Sequence, residues 1–584
     1  MCTTRPVSRR NGSTARTETT IGWMLLAGLA LGLVAGLLLA PRAAAIEEDW
    51  IFHTDTPMLA SPKFADLDGD GRPELLMSTY APYPDVYDGG WVHVFDRHGD
   101  PLPGWPFYTD FGPFAANVCV GDIDPQNPGV EVLAPDWYRL HLLDASGQEL
   151  AGWPLAIGVN YTPAIEDMDG DGDLEIIAPS GNLVHALTAE FDELPGWPVV
   201  APETVGSVAV GDLDGDGEME VIAGTLQGPV GPDPFELYVW ELDGTVKPGF
   251  PRATSGVVKA PPAIGDLDRD GVREIVLPAY DDSNDDFLYV WDATGNPEPG
   301  WPQRVGRARL SPPALADFDG DGDLEVVIGS GRVSAPLASG LLAFEHDGTP
   351  VSGFPVEIPE GAQINSSPAV VDLDGDPARL EIIVKVTDHI YAYHSDGSLV
   401  SGFPYELPDF GATGTTSPSP AVADMDGDGA PELAVCACQD RIALISFSVP
   451  VDPGLAYWPS MKRDAENRSF FGRDPSAVIP REASGPRLTL LENHPNPFRA
   501  SDGTRIAVRW AADFADPRDR AGHGIEILDT EGRLVRRLML SSAAQDAVRW
   551  DGRDTRGAAV EAGAYFYRMI GSRPGAPRTL IVID

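Results

Sequence analysis

Between residues 49 and 475 the apolar positions fall in short clusters, separated by acidic or Gly- and Pro-rich stretches. Glu274-Ile275-Val276-Leu277 and Leu288-Tyr289-Val290-Trp291 are typical. Their β-branched and aromatic residues at period two predict strands, not helices. One unit recurs eight times. It opens on a small residue and proline, as in Ser61-Pro62, Thr162-Pro163, Ser311-Pro312, Ser367-Pro368 and Ser419-Pro420. A short apolar stretch, an acidic loop, two further strands and a turn such as Asp292-Ala293-Thr294-Gly295 follow. It closes on an aromatic residue and proline: Trp105-Pro106, Trp153-Pro154, Trp197-Pro198, Phe250-Pro251, Trp301-Pro302, Phe354-Pro355, Phe403-Pro404 and Trp458-Pro459. The acidic loops begin at 66, 122, 167, 212, 266, 317, 372 and 424. Spacings of 45–56 residues are too long for a solenoid rung and suit a blade of about four short strands. The expected fold is all-β, an eight-bladed β-propeller over residues 46–475. Seven blades is the alternative, should one unit be absorbed in closing the ring.

Six of the loops share a strict register of oxygen donors. Loop one offers Asp66, Asp68, Asp70 and Glu74; loop three Asp167, Asp169, Asp171, Asp173 and Glu175; loop four Asp212, Asp214, Asp216 and Glu220. Loop five offers Asp266, Asp268, Asp270 and Glu274; loop six Asp317, Asp319, Asp321, Asp323 and Glu325; loop eight Asp424, Asp426, Asp428 and Glu432. Acids at positions 1, 3, 5 and 9 with Gly at 6 suit Ca²⁺, which takes six to eight oxygens from a tight loop. Mg²⁺ demands a stricter octahedron and fits less well. One such loop is equally well an acidic turn. Six in register predict about six structural Ca²⁺ sites, because carboxylates this dense repel one another without a cation. Loop two (Asp122-Ile123-Asp124-Pro125-Gln126) lacks the fifth-position acid, and loop seven has Pro377 where Gly is needed. Glu131 and Glu381 each come one residue late. Weak or absent binding is expected in both.

Composition narrows the partners. The 584 residues carry 89 acids and 41 bases, a formal charge of −48, so nucleic acid and anionic membranes are repelled. The 63 Gly and 55 Pro suit a turn-rich β protein. Residues 1–45 read as a signal peptide: Arg5, Arg9, Arg10 and Arg16, then apolar Ile21 to Ala40, then Ala43-Ala44-Ala45 before Ile46. The apolar run is long enough to span a bilayer, so a retained anchor is the alternative. Without Cys2, the cysteines Cys119, Cys436 and Cys438 form no disulfide framework.

The eight D-x-D-x-x-G-like loops and their spacing resemble those of the FG-GAP/VCBS-repeat β-propellers. That resemblance implies Ca²⁺ held inside each blade and a propeller used extracellularly for adhesion or ligand binding. Residues 476–486 read as a linker rich in Pro and Gly. Residues 487–584 change composition, with 15 Arg, no Lys and 13 acids. Alternating runs such as Arg505–Trp510 and Ile525–Asp529 predict a small Ig-like β-sandwich. The segments Leu491–Phe498, Asp529–Val535, Trp550–Asp554 and Gly563–Arg568 resemble the C-terminal sorting domain of type IX secretion cargo, and equally the related fold of flagellar hook-capping proteins. The sorting resemblance implies the secretion machinery as a partner and a protein secreted or held at the outer surface of a Gram-negative-type bacterium. The insert Ala511–Gly524 and the terminal Asp584 depart from it.

No nucleophile elbow, phosphate loop or zinc signature occurs. His93, His141 and His185 recur at one place in the unit, where Tyr238, Tyr289 and Tyr391 stand elsewhere, which predicts packing and not chemistry. The aromatic-Pro closers predict wedges between blades rather than a sugar-stacking ring. The expected function is a monomeric, non-enzymatic, secreted or cell-surface Ca²⁺-binding propeller. Its carbohydrate or protein ligand would be met by loops such as Tyr80–Gly90, Thr225–Phe235, Tyr280–Asp286 and Ser330–Gly340. The alternatives are a polysaccharide-active enzyme and a structural envelope protein without a ligand.

Overall fold

The computed structural model describes Ile46 to Ser469, apart from short loop segments, and the strands within residues 489–583. Residues 1–45 and 470–488, and with them the expected signal and linker, lie outside the described residues.

Eight small antiparallel sheets make an eight-bladed propeller, which settles the blade number. Blade one shows the plan: Lys63–Ala65, Glu74–Tyr80, Gly90–Phe95 and Phe107–Thr109 pair in sequence order. Each short innermost strand lies next to that of a neighbouring blade around the axis, and the contact between Lys63–Ala65 and Ala421–Ala423 closes the circle. The strands bury nearly every side chain, as Glu274–Ala279 and Glu325–Gly329 do, because neighbouring blades cover both faces of each sheet. Blade two has three strands, and the bridge between Leu140 and Leu155 stands where the fourth would be.

Ring closure uses both ends of the repeat region. Ile46–His53 supplies the outermost strand of blade eight, antiparallel to Arg441–Phe447. Units and blades therefore coincide except in blade eight, whose outermost strand comes from the start of the repeat region.

The closers separate into two kinds. Trp105, Trp197 and Trp301 are buried and donate their indole N–H to Ala145, Leu242 and His346 carbonyls of the next blade, at 3.1, 2.8 and 2.8 Å. They are wedges, as the repeat predicts. Trp458-Pro459 departs from this. The Trp458 backbone exchanges hydrogen bonds with Val370 of blade seven (3.0 and 3.1 Å), and the Pro459 carbonyl accepts from Val422 of blade eight. Lys63 of blade one donates to the Asp464 carbonyl at 2.7 Å, and also to Met461 and Ser460. Asn467 donates to the Val118 carbonyl of blade two, and the Arg468 guanidinium reaches Glu166 of blade three. The Arg468 and Ser469 carbonyls accept from Val210 of blade four and Ile264 of blade five. The described residues of 458–469 thus run around the axis and supply acceptors to innermost strands whose axis-facing N–H groups would otherwise lack partners. Trp458, Lys462, Asn467 and Ser469 are fully buried there. The axis of this ring is filled by its own chain.

The C-terminal strands form two sheets. Thr489–His494, Thr504–Arg509 and Ala547–Trp550 make one; Phe498–Arg499, Gly524–Leu528, Leu534–Met539, Gly563–Ile570 and Arg578–Ile583 make the other. Ile525, Ile527, Trp550 and Tyr567 are buried. Among the described residues no helix is long and apolar enough to cross a membrane.

Candidate functional site

Every acidic loop joins the first and second strands of its blade. Its last acid is the first residue of strand two, as in the pairs Ala65 with Glu74 and Ala316 with Glu325. This placement buries the Glu, and the first Asp of loops one and seven with it, while the later aspartates stay near solvent. In all eight blades the Glu Oε2 accepts the N–H of the second loop residue: Leu67, Ile123, Met168, Leu213, Leu267, Phe318, Leu373 and Met425, at 2.6–3.0 Å. Glu131 and Glu381, one residue late in sequence, make the same bond. The first Asp clamps the turn: Asp66 accepts from Gly69 and Gly71, and Asp424 from Gly427 and Gly429. Position 6 adopts positive φ, as at Gly71 (88°) and Gly322 (101°), which Gly takes without strain. Position 4 does as well, and in loop five it is Arg269 at 59°, a requirement the sequence pattern did not reveal.

With the clamps in place, the leading carboxylates converge. One oxygen from each of Asp66, Asp68 and Asp70 lies within 4.8 Å of the others, and the same holds for Asp167, Asp169 and Asp171 and for Asp266, Asp268 and Asp270. Buried oxygens remain without a hydrogen-bond donor at Asp167 Oδ1, Asp266 Oδ1 and Glu325 Oε1. Burial, with neighbouring acids adding to it, pushes Glu325 up to about 9, Glu175 and Glu274 to about 8, and Glu74 and Glu432 to about 7. Orphaned carboxylate oxygens converging on one point are the donor set a hard cation takes. Asp323 departs from the expected set, lying 3.2 Å from His346.

The Glu Oε1 distinguishes the loops. In loop two it accepts from Asn127 Nδ2 at 2.8 Å, in loop four from Lys247 Nζ at 3.1 Å and in loop eight from Ser446 Oγ at 3.2 Å, and in loop seven it meets His394 Nδ1 at 2.9 Å. Asn127, within loop two, and His394, at the end of strand three of blade seven, serve the two loops whose motif is broken. Asp374, Glu381 and His394 cluster within 4.8 Å; this grouping needs a His from another strand and could not be read from loop spacing.

Residues 266–328 match the FG-GAP-like repeat family. The match runs from the first acid of loop five into the second strand of blade six, so the FG-GAP-like repeat is in phase with the acidic loops. No curated protein matches the chain. Among solved structures it is similar to the V. cholerae biofilm matrix protein Bap1, at 14% identity over 70% of this chain and 92% of that one, with a TM-score of 0.37. It is also similar to the BP39L lectin from Burkholderia pseudomallei, at 13% over 61% and 100%, with a TM-score of 0.40. A third is the quinohemoprotein alcohol dehydrogenase from Comamonas testosteroni, at 14% over 69% and 76%, with a TM-score of 0.40.

The loops that join strands two and three leave the blades on the face opposite the acidic loops. Most of Tyr80–Gly90, Thr225–Phe235, Tyr280–Asp286 and Ser330–Gly340 lies outside the described residues. On that opposite face an aromatic surface appears that sequence reading missed. Among the described residues, the exposed large aromatics are Trp91, Tyr108, Trp137 and Tyr138, at 36–47%, all on blades one and two. Trp91 and Tyr108 are cross-strand partners with ring centroids 4.8 Å apart. Phe111 and Tyr138 meet edge to face at 4.8 Å, and Arg139 lies over Phe111 while pairing with Asp110 at 2.8 Å.

The histidines occupy separate blades. His93 is buried and stacked on Phe95, and burial lowers it to about 4. His141 lies between Asp136 (3.1 Å) and Glu149 (2.6 Å), and His185 meets Glu193 at 2.6 Å. Cys119 and Cys436 are buried; Cys438 lies outside the described residues.

Proposed function

We propose that this chain is a secreted or cell-surface, non-enzymatic binding protein whose propeller recognises carbohydrate through the aromatic surface of blades one and two. The observation that carries the reading is the segregation of exposed aromatics. Among the described residues, Trp91, Tyr108, Trp137 and Tyr138 crowd one sector, whereas the other exposed large apolar residues are the single aliphatics Val200, Val246 and Leu399. Exposed aromatic area of this kind has a hydrophobic cost, and it suits the apolar C–H face of a sugar ring. Asp110 and Arg139 at the margin offer an acceptor and donors for hydroxyl groups. The described residues of 458–469 line the axis, so recognition falls to the face opposite the acidic loops.

The acidic loops serve the scaffold in this reading. Ca²⁺ in loops one, three, five, six and eight ties strand one to strand two in those blades, and in loops three, five and six it satisfies the orphaned oxygens. The N-terminal signal and the sorting-like C-terminal domain carry the protein out of the cell and to its surface.

The test is a polysaccharide array probed with the full chain, followed by Trp91→Ala and Trp137→Ala. Binding without turnover, weakened at least tenfold by either substitution at unchanged melting temperature, is expected. Undiminished binding by both variants removes the aromatic site, and released oligosaccharide replaces the reading with an enzyme.

A further inference from the structure

Loop four carries all four motif acids, and by sequence it belongs with the intact loops. Its surroundings separate it from them. Lys247, in the hairpin between strands three and four of the same blade, is 5% exposed and turns its ammonium into the loop. Nζ lies 2.7 Å from Asp214 Oδ2, 3.1 Å from Glu220 Oε1, and 3.1 and 3.2 Å from the two oxygens of Glu241. Three carboxylates therefore converge on one fixed positive charge. The first acid is taken as well: Arg273 of blade five donates to the Asp212 carbonyl and holds its guanidinium 3.5 Å from Asp212 Oδ2. Burial opposes the charge on Lys247, but its carboxylate bonds outweigh that and hold it firmly protonated. The bond from Lys247 keeps Asp214 below its ordinary range.

The aligned hairpin position, counted back from the aromatic-Pro closer, holds Leu102, Leu150 and Leu194 in blades one to three, and Val351 and Val400 in blades six and seven. Blade four alone among these places a cation there. In loop six, by contrast, Glu325 Oε1 is buried with no donor. Loops two and seven fill the same oxygen with Asn127 and His394, and loop eight with the neutral Ser446 hydroxyl at 3.2 Å; loop four differs from all of them in filling it with a fixed positive charge.

We propose that blade four carries its own cation: the Lys247 ammonium occupies the place of the divalent ion, and loop four binds no metal although its motif is complete. The inference rests on the reading that the intact loops bind Ca²⁺. A fixed ammonium and a doubly charged ion cannot share one set of carboxylates, because the two like charges would lie within a few ångströms.

Hydrogen exchange of the full chain, with Ca²⁺ and with excess chelator, tests this. Amides of 167–175 and 317–325 are expected to lose at least tenfold in protection on chelation, while those of 212–220 keep theirs. Lys247→Leu, the residue found in blades one to three, is expected to bind one more Ca²⁺ per chain by equilibrium dialysis. Its loop-four amides should then become chelator-sensitive. Wild-type loop four loosening together with loops three and six overturns the proposal and leaves the calcium reading intact. No loop responding, with no Ca²⁺ bound at all, overturns both. The wild-type measurement decides even if the variant fails to fold.

Discussion

Chelated protein is expected to lose stability as pH rises from 6.5 to 8, and Ca²⁺ to restore it more at pH 8 than at 6.5. The perturbation is removal of metal, and the responding groups are the buried loop glutamates. Burial holds Glu325 up to about 9 in the metal-free fold, against an ordinary 4.5. Between these values the folded state keeps a proton that the unfolded chain has released. Stability therefore falls with rising pH at up to about 1.36 kcal/mol per unit for each such group. Over 1.5 units Glu325 alone gives about 2 kcal/mol. Halving this for water entering a loop at the surface leaves about 1 kcal/mol. Glu175 and Glu274, raised to about 8, add nearly as much each, and Glu74 and Glu432, raised to about 7, titrate out early in the window. The loops together lose about 3 kcal/mol. The window is chosen because His93, lowered to about 4 by burial, acts in the opposite direction below pH 6.5. His141 is raised by Asp136 and Glu149 against the effect of burial. It loses stability with the same sign, but independently of metal, so Glu325→Gln is the control: its pH slope in chelator should be shallower by about 1 kcal/mol over the window. The assay is urea unfolding at both pH values, with and without Ca²⁺. Equal Ca²⁺ effects at the two pH values, or a chelated protein more stable at pH 8, would refute the reasoning.

The remaining expectations concern the axis, the degenerate loops and the chain's start. Lys63→Met should destabilise the propeller by about 3 kcal/mol in urea unfolding, since it strands two buried carbonyls that now accept from a charged donor; a neutral result would show that the axial segment contributes nothing to the ring. Asp171→Ala should lower the melting temperature in Ca²⁺ more than Gln126→Ala does, and equal losses would mean that loop three holds no metal. The exported protein should begin near Ile46, where the closing strand of blade eight also begins; N-terminal sequencing that finds residues 21–40 retained would make it membrane-anchored.

What the sequence made legible is whatever repeats. The spacing of the first aspartates marks out eight blades, and the strand-initial glutamates show as the last acid of each loop, because one backbone geometry imposes one residue pattern eight times. Trp105, Trp197 and Trp301 were readable as wedges for the same reason. Features that occur once left no such trace. Trp458-Pro459 has the sequence of a wedge but lines the axis, since no further blade follows for it to pack against. Lys247 sits at an ordinary hairpin position, and only the fold brings it onto Asp214 and Glu220. The pairing of Trp91 with Tyr108 depends on strand register, and the nearness of Phe111 to Tyr138 on two blades lying side by side.

Closure of blade eight also gives the chain a measure of its own length. The strand Ile46–His53 is made first, yet its partner Arg441–Phe447 comes last among the propeller strands; the hydrogen-bonded pair Asp49 and Ser446 lies 397 positions apart. Until that partner exists, the first strand has no place in any sheet, and the innermost strands face an empty axis that residues 458–469 fill later still. A chain cut short anywhere in the repeats would present two raw sheet edges and an unlined centre, the kind of surface that recruits other strands. A complete chain hides all three at once. So slow, end-to-end pairing doubles as proofreading: only a molecule that has been made to its last blade becomes a sealed disc.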